Sequence, residues 1–72
     1  MTTTIKEGIY QHYKGNFYRV LGVAIHTETK EQLVVYCSIY DGSEIWVRPL
    51  QMFLEEVEIA GAKIKRFQYI KR

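Results

Sequence analysis

Apolar and polar positions alternate along much of this chain, and Gly, Asn or Asp interrupts the alternation at intervals. Residues 9–13 (IYQHY) put Ile9 and Gln11 on one side and Tyr10 and His12 on the other, the period of two of a strand. Lys14-Gly15-Asn16 follows, and a Gly-Asn pair between two β-rich runs predicts a hairpin turn, because both residues tolerate positive φ. Residues 17–26 (FYRVLGVAIH) form the longest β-rich run. Phe17, Leu21, Val23 and Ile25 share one of its faces with Arg19, and Tyr18, Val20, Gly22 and Ala24 share the other. Gly22 inside such a run predicts a bulge or sharp bend. A polar loop tip at 27–31 leads to a strand over 33–40, a turn at Asp41-Gly42, and a fourth strand over 45–48. Pro49, which has no N–H to give a ladder, stops it.

The period then changes. In LQMFLEEV, Leu50, Phe53, Leu54 and Val57 fall at i, i+3, i+4 and i+7, a helical stripe of only about two turns, short enough for a 3₁₀ turn. Gly61 marks another turn, and residues 64–70 (IKRFQYI) read as the last strand. Four strands, a helical turn and a fifth strand, apolar on both faces, predict a sheet that curls on itself and so removes its exposed edges. The expected fold is all-β, a small five-stranded SH3-like barrel with a short helical turn before the last strand. The alternative is α+β, a curved antiparallel sheet with one helix over 50–58 packed across it.

The strand phase carries the functional reading. With Leu33, Val35, Cys37 and Ile39 in the core, Val34, Tyr36, Ser38 and Tyr40 face outward. With Ile45 and Val47 inside, Trp46 and Arg48 face outward as well. Cross-strand neighbours on one face lie about 5 Å apart, so Tyr36, Tyr40, Trp46 and Arg48 are expected in one cluster, joined by Tyr10, Tyr18 and His12. Rings beside cations suit single-stranded RNA or DNA, whose bases stack and whose phosphates pair. They suit an extended or proline-rich peptide too, or a second copy of the chain covering the patch. The competing reading is that the protein's own chain covers these rings and Trp46 packs as a second core. Lys63, Lys65, Arg66, Lys71 and Arg72 are half of the ten basic residues. Beside the rings they favour nucleic acid; against Glu55, Glu56 and Glu58 they make only a balanced surface.

Composition narrows the field. Seventy-two residues make one domain, expected over 8–72 behind a polar, Thr-rich, flexible segment at 1–7. A chain that is 47% hydrophobic and 25% charged is not disordered. A net charge of +2 is too mild to indicate nucleic acid without clustering. The lone Cys37 forms no internal disulfide, and one Cys with two distant His builds no four-ligand zinc site, so neither metal nor cofactor is expected. No apolar run is long enough to span a membrane, and a cytoplasmic setting is expected. Ser38, Ser43, Cys37, His12 and His26 are the candidate nucleophiles and bases, but none has a partner at hand in sequence. Cys37 reads as a small core hydrophobe and His26 as a loop cap. The five Gly stand one per turn or bend rather than in a phosphate loop. An enzyme is not expected.

The run HYKGNFYRVLGVAIHTETKEQLVVY, followed by WVRPLQMF, resembles a bacterial family of small proteins known as domain of unknown function 1653. The resemblance rests on residues 12–16, 18–24, 27–29, 33–36 and 46–53, and extends over nearly all of 9–70. Ile59-Ala60-Gly61-Ala62 departs from it, standing where the family has a more polar turn. The resemblance implies no activity, ligand or site residue.

Overall fold

A computed structural model describes residues 5–72. The elements run β1 (Gly8–His12), β2 (Phe17–Ile25), β3 (Gln32–Ser38), β4 (Trp46–Pro49), α1 (Leu50–Phe53), β5 (Glu56–Ile59), β6 (Ala62–Lys65) and β7 (Phe67–Lys71). Five strands form one antiparallel sheet in the order β4-β3-β2-β1-β7, and β5 pairs only with β6. The fold is all-β and small, with one short helical turn among the described residues. It differs from the expected five-stranded barrel in two respects: the strands divide between two sheets, and β4 and β7 are the two edges of the main sheet and do not pair with each other, so that sheet stays open.

Local chemistry explains most of the boundaries. The loop after β1 closes through Gly15 at φ 109°, with the His12 amide donating to the Asn16 carbonyl at 2.8 Å. His26 caps the next loop, its Nδ1 accepting from the amides of Glu28 and Thr29 at 3.2 and 3.3 Å. Asp41 does organise a turn, accepting from the Ser43 amide at 3.0 Å. That turn sits inside a longer loop over 39–45, however, rather than in a tight hairpin, because β3 ends at Ser38 and β4 begins at Trp46. The helical stripe over 50–57 yields only α1, and Glu56 and Val57 are already in β5. The expected last strand divides at Arg66 into β6 and β7, which belong to different sheets. The β5–β6 turn has Ala60 at φ 52° and Gly61 at φ 83°. Positive φ at both central residues is the geometry of a type I′ hairpin.

The expected strand phase is reversed. The packed core is Tyr10, Val20, Val34, Tyr36, Leu50, Phe53 and Phe67, with Val34 fully buried at 0% exposure. Leu33, Val35 and Cys37 lie on the opposite face and are only half-buried. Ile39, Ile45 and Val47 are exposed. The register fixes this: Val34 pairs with Arg48 and Val23, and Tyr36 with Trp46 and Val20, on one side of the sheet, while Val35 pairs with Val47 on the other. Pro49 then turns the chain so that α1 lays Leu50 and Phe53 over the ring-bearing side. Phe53 stacks on Phe67 with centroids 4.2 Å apart and planes 4° from parallel. Burying a side chain of this size contributes roughly 1.5–3 kcal/mol, and α1 brings Leu50 and Phe53 to the ring-bearing side.

The bulge expected at Gly22 is present, the pairing shifting between Val20 and Gly22. Beyond it the faces of β2 exchange, so that Val23 opposes Val34 and Ala24 opposes Leu33. Of the N-terminal segment 1–7, residues 1–4 lie outside the described part. Ile5 packs against the core, and the Lys6 carbonyl accepts from the Tyr10 hydroxyl at 2.7 Å.

Candidate functional site

The ring-bearing side of the sheet is only partly roofed. Near α1 the rings are sealed; toward the first hairpin they come to the surface. Strand pairing produces the order of the rings. Tyr36 stands opposite Trp46, Tyr10 opposite Tyr18, and His12 opposite Phe67. The resulting row runs from Trp46 to Tyr18 (6.2 Å between centroids), Tyr18 to Phe67 (5.9 Å), Phe67 to His12 (4.9 Å) and His12 to Tyr13 (4.5 Å). Most contacts are edge-to-face, the arrangement that ring quadrupoles favour. Trp46 is 38% exposed, and Tyr18, His12 and Tyr13 are half-buried. Tyr36 and Phe67 form the floor, at 6% and 5% exposure.

Three cations edge this row. The Arg48 guanidinium lies 5.7 Å from the Phe67 ring centre, and its Nε donates to the Tyr36 hydroxyl at 3.4 Å. Arg66 and Lys14 lie 6.0 and 5.8 Å from the centre of the Tyr13 ring. Arg66 also bridges to Glu55 at 3.2 Å, while its own Nε is buried and donates to nothing among the described residues. His12 feels all three cations. Burial first, then Arg66, Arg48 and Lys14, lower its pKa from the ordinary imidazole range. Its Nδ1 accepts from the Lys14 amide at 3.1 Å, which leaves the ring proton on Nε2 in the neutral form.

Of the expected cluster, Tyr36, Trp46, Arg48, Tyr18 and His12 come together as the sequence implied, and Tyr10 packs beneath them against Phe53 and Tyr69. Their setting differs: this side is the core, and only its margin is open. Tyr40 does not join. It lies in the loop over 39–45, 70% exposed, because β3 ends two residues short of it. Phe67 and Tyr13, neither of them expected in the cluster, complete the margin, and of the C-terminal cations Arg66 joins it. Phe67 and Arg66 alternate within the last apolar run, and Tyr13 adjoins His12 at a strand end, but only the pairing of β7 with β1 brings them together. The C-terminal cations divide. Lys63 and Lys65 stand opposite Glu58 and Glu56, a balanced surface, while Lys71 and Arg72 edge the opposite face of the sheet.

Cys37 is not in the core but half-buried on the opposite face. The depression at His12, about 250 Å³, is lined by Gln11, Tyr13, Ile64, Lys65 and Gln68, without an Asp or Glu side chain. Among the described residues no three or more His, Cys, Asp or Glu are grouped to hold a metal ion, and no helix is long and apolar enough to cross a membrane.

These features define a small antiparallel β domain with one turn of helix and an aromatic margin edged by cations. The chain belongs to the family described as protein of unknown function (DUF1653), whose pattern matches residues 8–69. It is similar to a crystal structure of a protein of that family from Bordetella bronchiseptica, at 35% identity and a TM-score of 0.81, over 92% of this chain and 87% of that one. No curated protein matches the chain.

Proposed function

We propose that this protein is a non-catalytic binding module whose aromatic margin holds a short stretch of single-stranded RNA or DNA. The observation that carries the reading is the ring row from Trp46 to Tyr13 with Lys14, Arg48 and Arg66 along it. Bases stack on such rings without sequence preference, and cations beside them take phosphates. The depression beside His12, without a carboxylate to serve as its partner, supports a binding role over acid–base chemistry. The unpaired Cys37 accords with a reducing, cytoplasmic setting.

Titration with a mixed-sequence oligonucleotide at several salt concentrations tests this. Three phosphate contacts give a log–log salt slope of roughly −2, from about 0.7 per phosphate on a single strand. Trp46→Ala weakens binding by about 1–3 kcal/mol and leaves a cooperative thermal transition. Absence of oligonucleotide binding at low salt, or chemical shifts that move away from Trp46, Tyr18 and His12, would overturn the reading. Salt-insensitive capture of a proline-rich peptide at the same rings would replace nucleic acid with a peptide.

A further inference from the structure

Among the described residues no layer covers the opposite face of the main sheet, which is apolar, with Ile9 buried at its centre and its other side chains half-buried or exposed. Layers of secondary structure stack about 10 Å apart, and the 18 Å thickness of this molecule accommodates the sheet with one layer over it. That layer, α1, lies on the ring side. On the other side a groove of about 570 Å³ crosses β2, β1 and β7, with Ile9, Phe17, Ile39 and Ile70 as its apolar lining. Ile39 and Ile70 are 44% and 43% exposed. The remaining lining residues are all cations: Arg19, Lys71 and Arg72. No ion pair engages any of the three among the described residues. Glu7 lines the adjoining depression with Arg19 and Arg72 but is bridged to neither. Arg19 is the telling member. It stands on β2, the middle strand of the sheet, opposite Ile9 on one side and Cys37 on the other.

We propose that this groove docks an acidic segment of another protein, one whose leucine- or phenylalanine-type side chains fill the apolar lining while its carboxylates meet Arg19, Lys71 and Arg72. Charge selects this occupant. A two-fold partner of the same chain would present the same patch to itself, bringing no Asp or Glu side chain of the groove lining to meet the three cations. An open groove encloses too little of a small free ligand to hold it, since such sites bury most of the ligand surface. A protein segment brings its own surface to complete the enclosure, and like charges across an interface suppress other partners.

The experiment uses the full chain, isotopically labelled, and two synthetic nine-residue peptides. One alternates leucine and glutamate around a central phenylalanine; the other carries lysine at every glutamate position. The glutamate peptide shifts the signals of Ile9, Phe17, Ile39 and Ile70 and leaves Trp46 and His12 in place, while the lysine peptide does not bind. Arg19→Glu weakens the glutamate peptide by roughly fivefold or more, as loss and reversal of an interfacial charge do. Lys71→Glu, at an exposed strand end, acts in the same direction and covers the case in which the Arg19 variant is unstable. Equal binding of the two peptides, or none of either, overturns the proposal. So does a concentration-dependent dimer in sedimentation that Ile39→Asp dissociates, which would make a second copy the occupant. Anionic phosphatidylglycerol vesicles that shift the same signals more strongly than the peptide also overturn it.

Discussion

His12 shows how one residue ties stability to the candidate site. Its pKa is lowered by burial and by Arg66, Arg48 and Lys14, so the folded protein disfavours the imidazolium relative to the unfolded chain. Above the unfolded value of about 6.5 both states hold a neutral ring, and the contribution is fully present. As pH falls below that value the unfolded chain takes up its proton first. Stability is then lost until the lower folded pKa is passed. Urea midpoints at pH 7.5 and pH 5 measure the loss, and His12→Gln shrinks it. A phosphate bound beside the ring reverses the preference, since a nearby negative charge favours the cation. Under the proposed function, oligonucleotide affinity therefore rises from pH 8 toward pH 6, with proton uptake visible in calorimetry across buffers of different ionisation enthalpy. In the His12→Gln protein that uptake is absent.

At the scale of elements, β3 decides the layout, because its alternate residues serve opposite sides. Val34 is enclosed between Val23 and Arg48 by register, and its neighbour Val35 looks to the uncovered face. Val34→Thr buries a hydroxyl without an assured partner and costs about 1–3 kcal/mol. Val35→Thr leaves its hydroxyl within reach of solvent and costs less than about 0.5 kcal/mol, as surface substitutions do. Chemical denaturation of the two variants reads the difference directly, and equal losses would place the phase elsewhere. The β5–β6 hairpin follows a different rule. Ala60 occupies left-handed space at φ 52°, a conformation that strains a side chain with a Cβ. Ala60→Gly relieves that strain and stabilises the hairpin by roughly 0.5–1 kcal/mol, the larger chain entropy of Gly offsetting part of the gain. The effect appears as slower amide exchange in β5 and β6.

For the whole molecule, the hairpin and the main sheet are unequal partners. The sheet holds the core, and the hairpin joins it through Arg66, whose amide donates to the Glu55 carbonyl and whose carbonyl accepts from Tyr13. Every residue of β6 is exposed, and Val57 alone in β5 is half-buried. Elements with little buried apolar surface open locally at low free energy. Amides of β5 and β6 accordingly exchange faster than those of β2 and β3, and denaturant moves the latter alone. The two candidate binding surfaces lie on opposite sides of the sheet: a ring row edged by cations where the core reaches the surface, and a cation-rimmed apolar groove where no layer covers it.

Much of this was written in local pattern. Alternation located β1 to β4, Gly22 marked the bulge, Gly15 and Gly61 the turns, and Pro49 the end of β4. Of the set Tyr36, Tyr40, Trp46, Arg48, Tyr18 and His12, all but Tyr40 share one side, because a period of two places residues on a common side whatever that side becomes; Tyr40 falls out because β3 ends at Ser38. Which side is interior was not legible. Leu33-Val35-Cys37 and Val34-Tyr36 are both apolar enough to be buried, and alternation carries no information about where the covering layer falls. Only the tertiary placement of α1 and the pairing of β7 with β1 brought Leu50, Phe53 and Phe67 onto the rings. Those contacts put the covering layer on the aromatic side, and the covered side is the core.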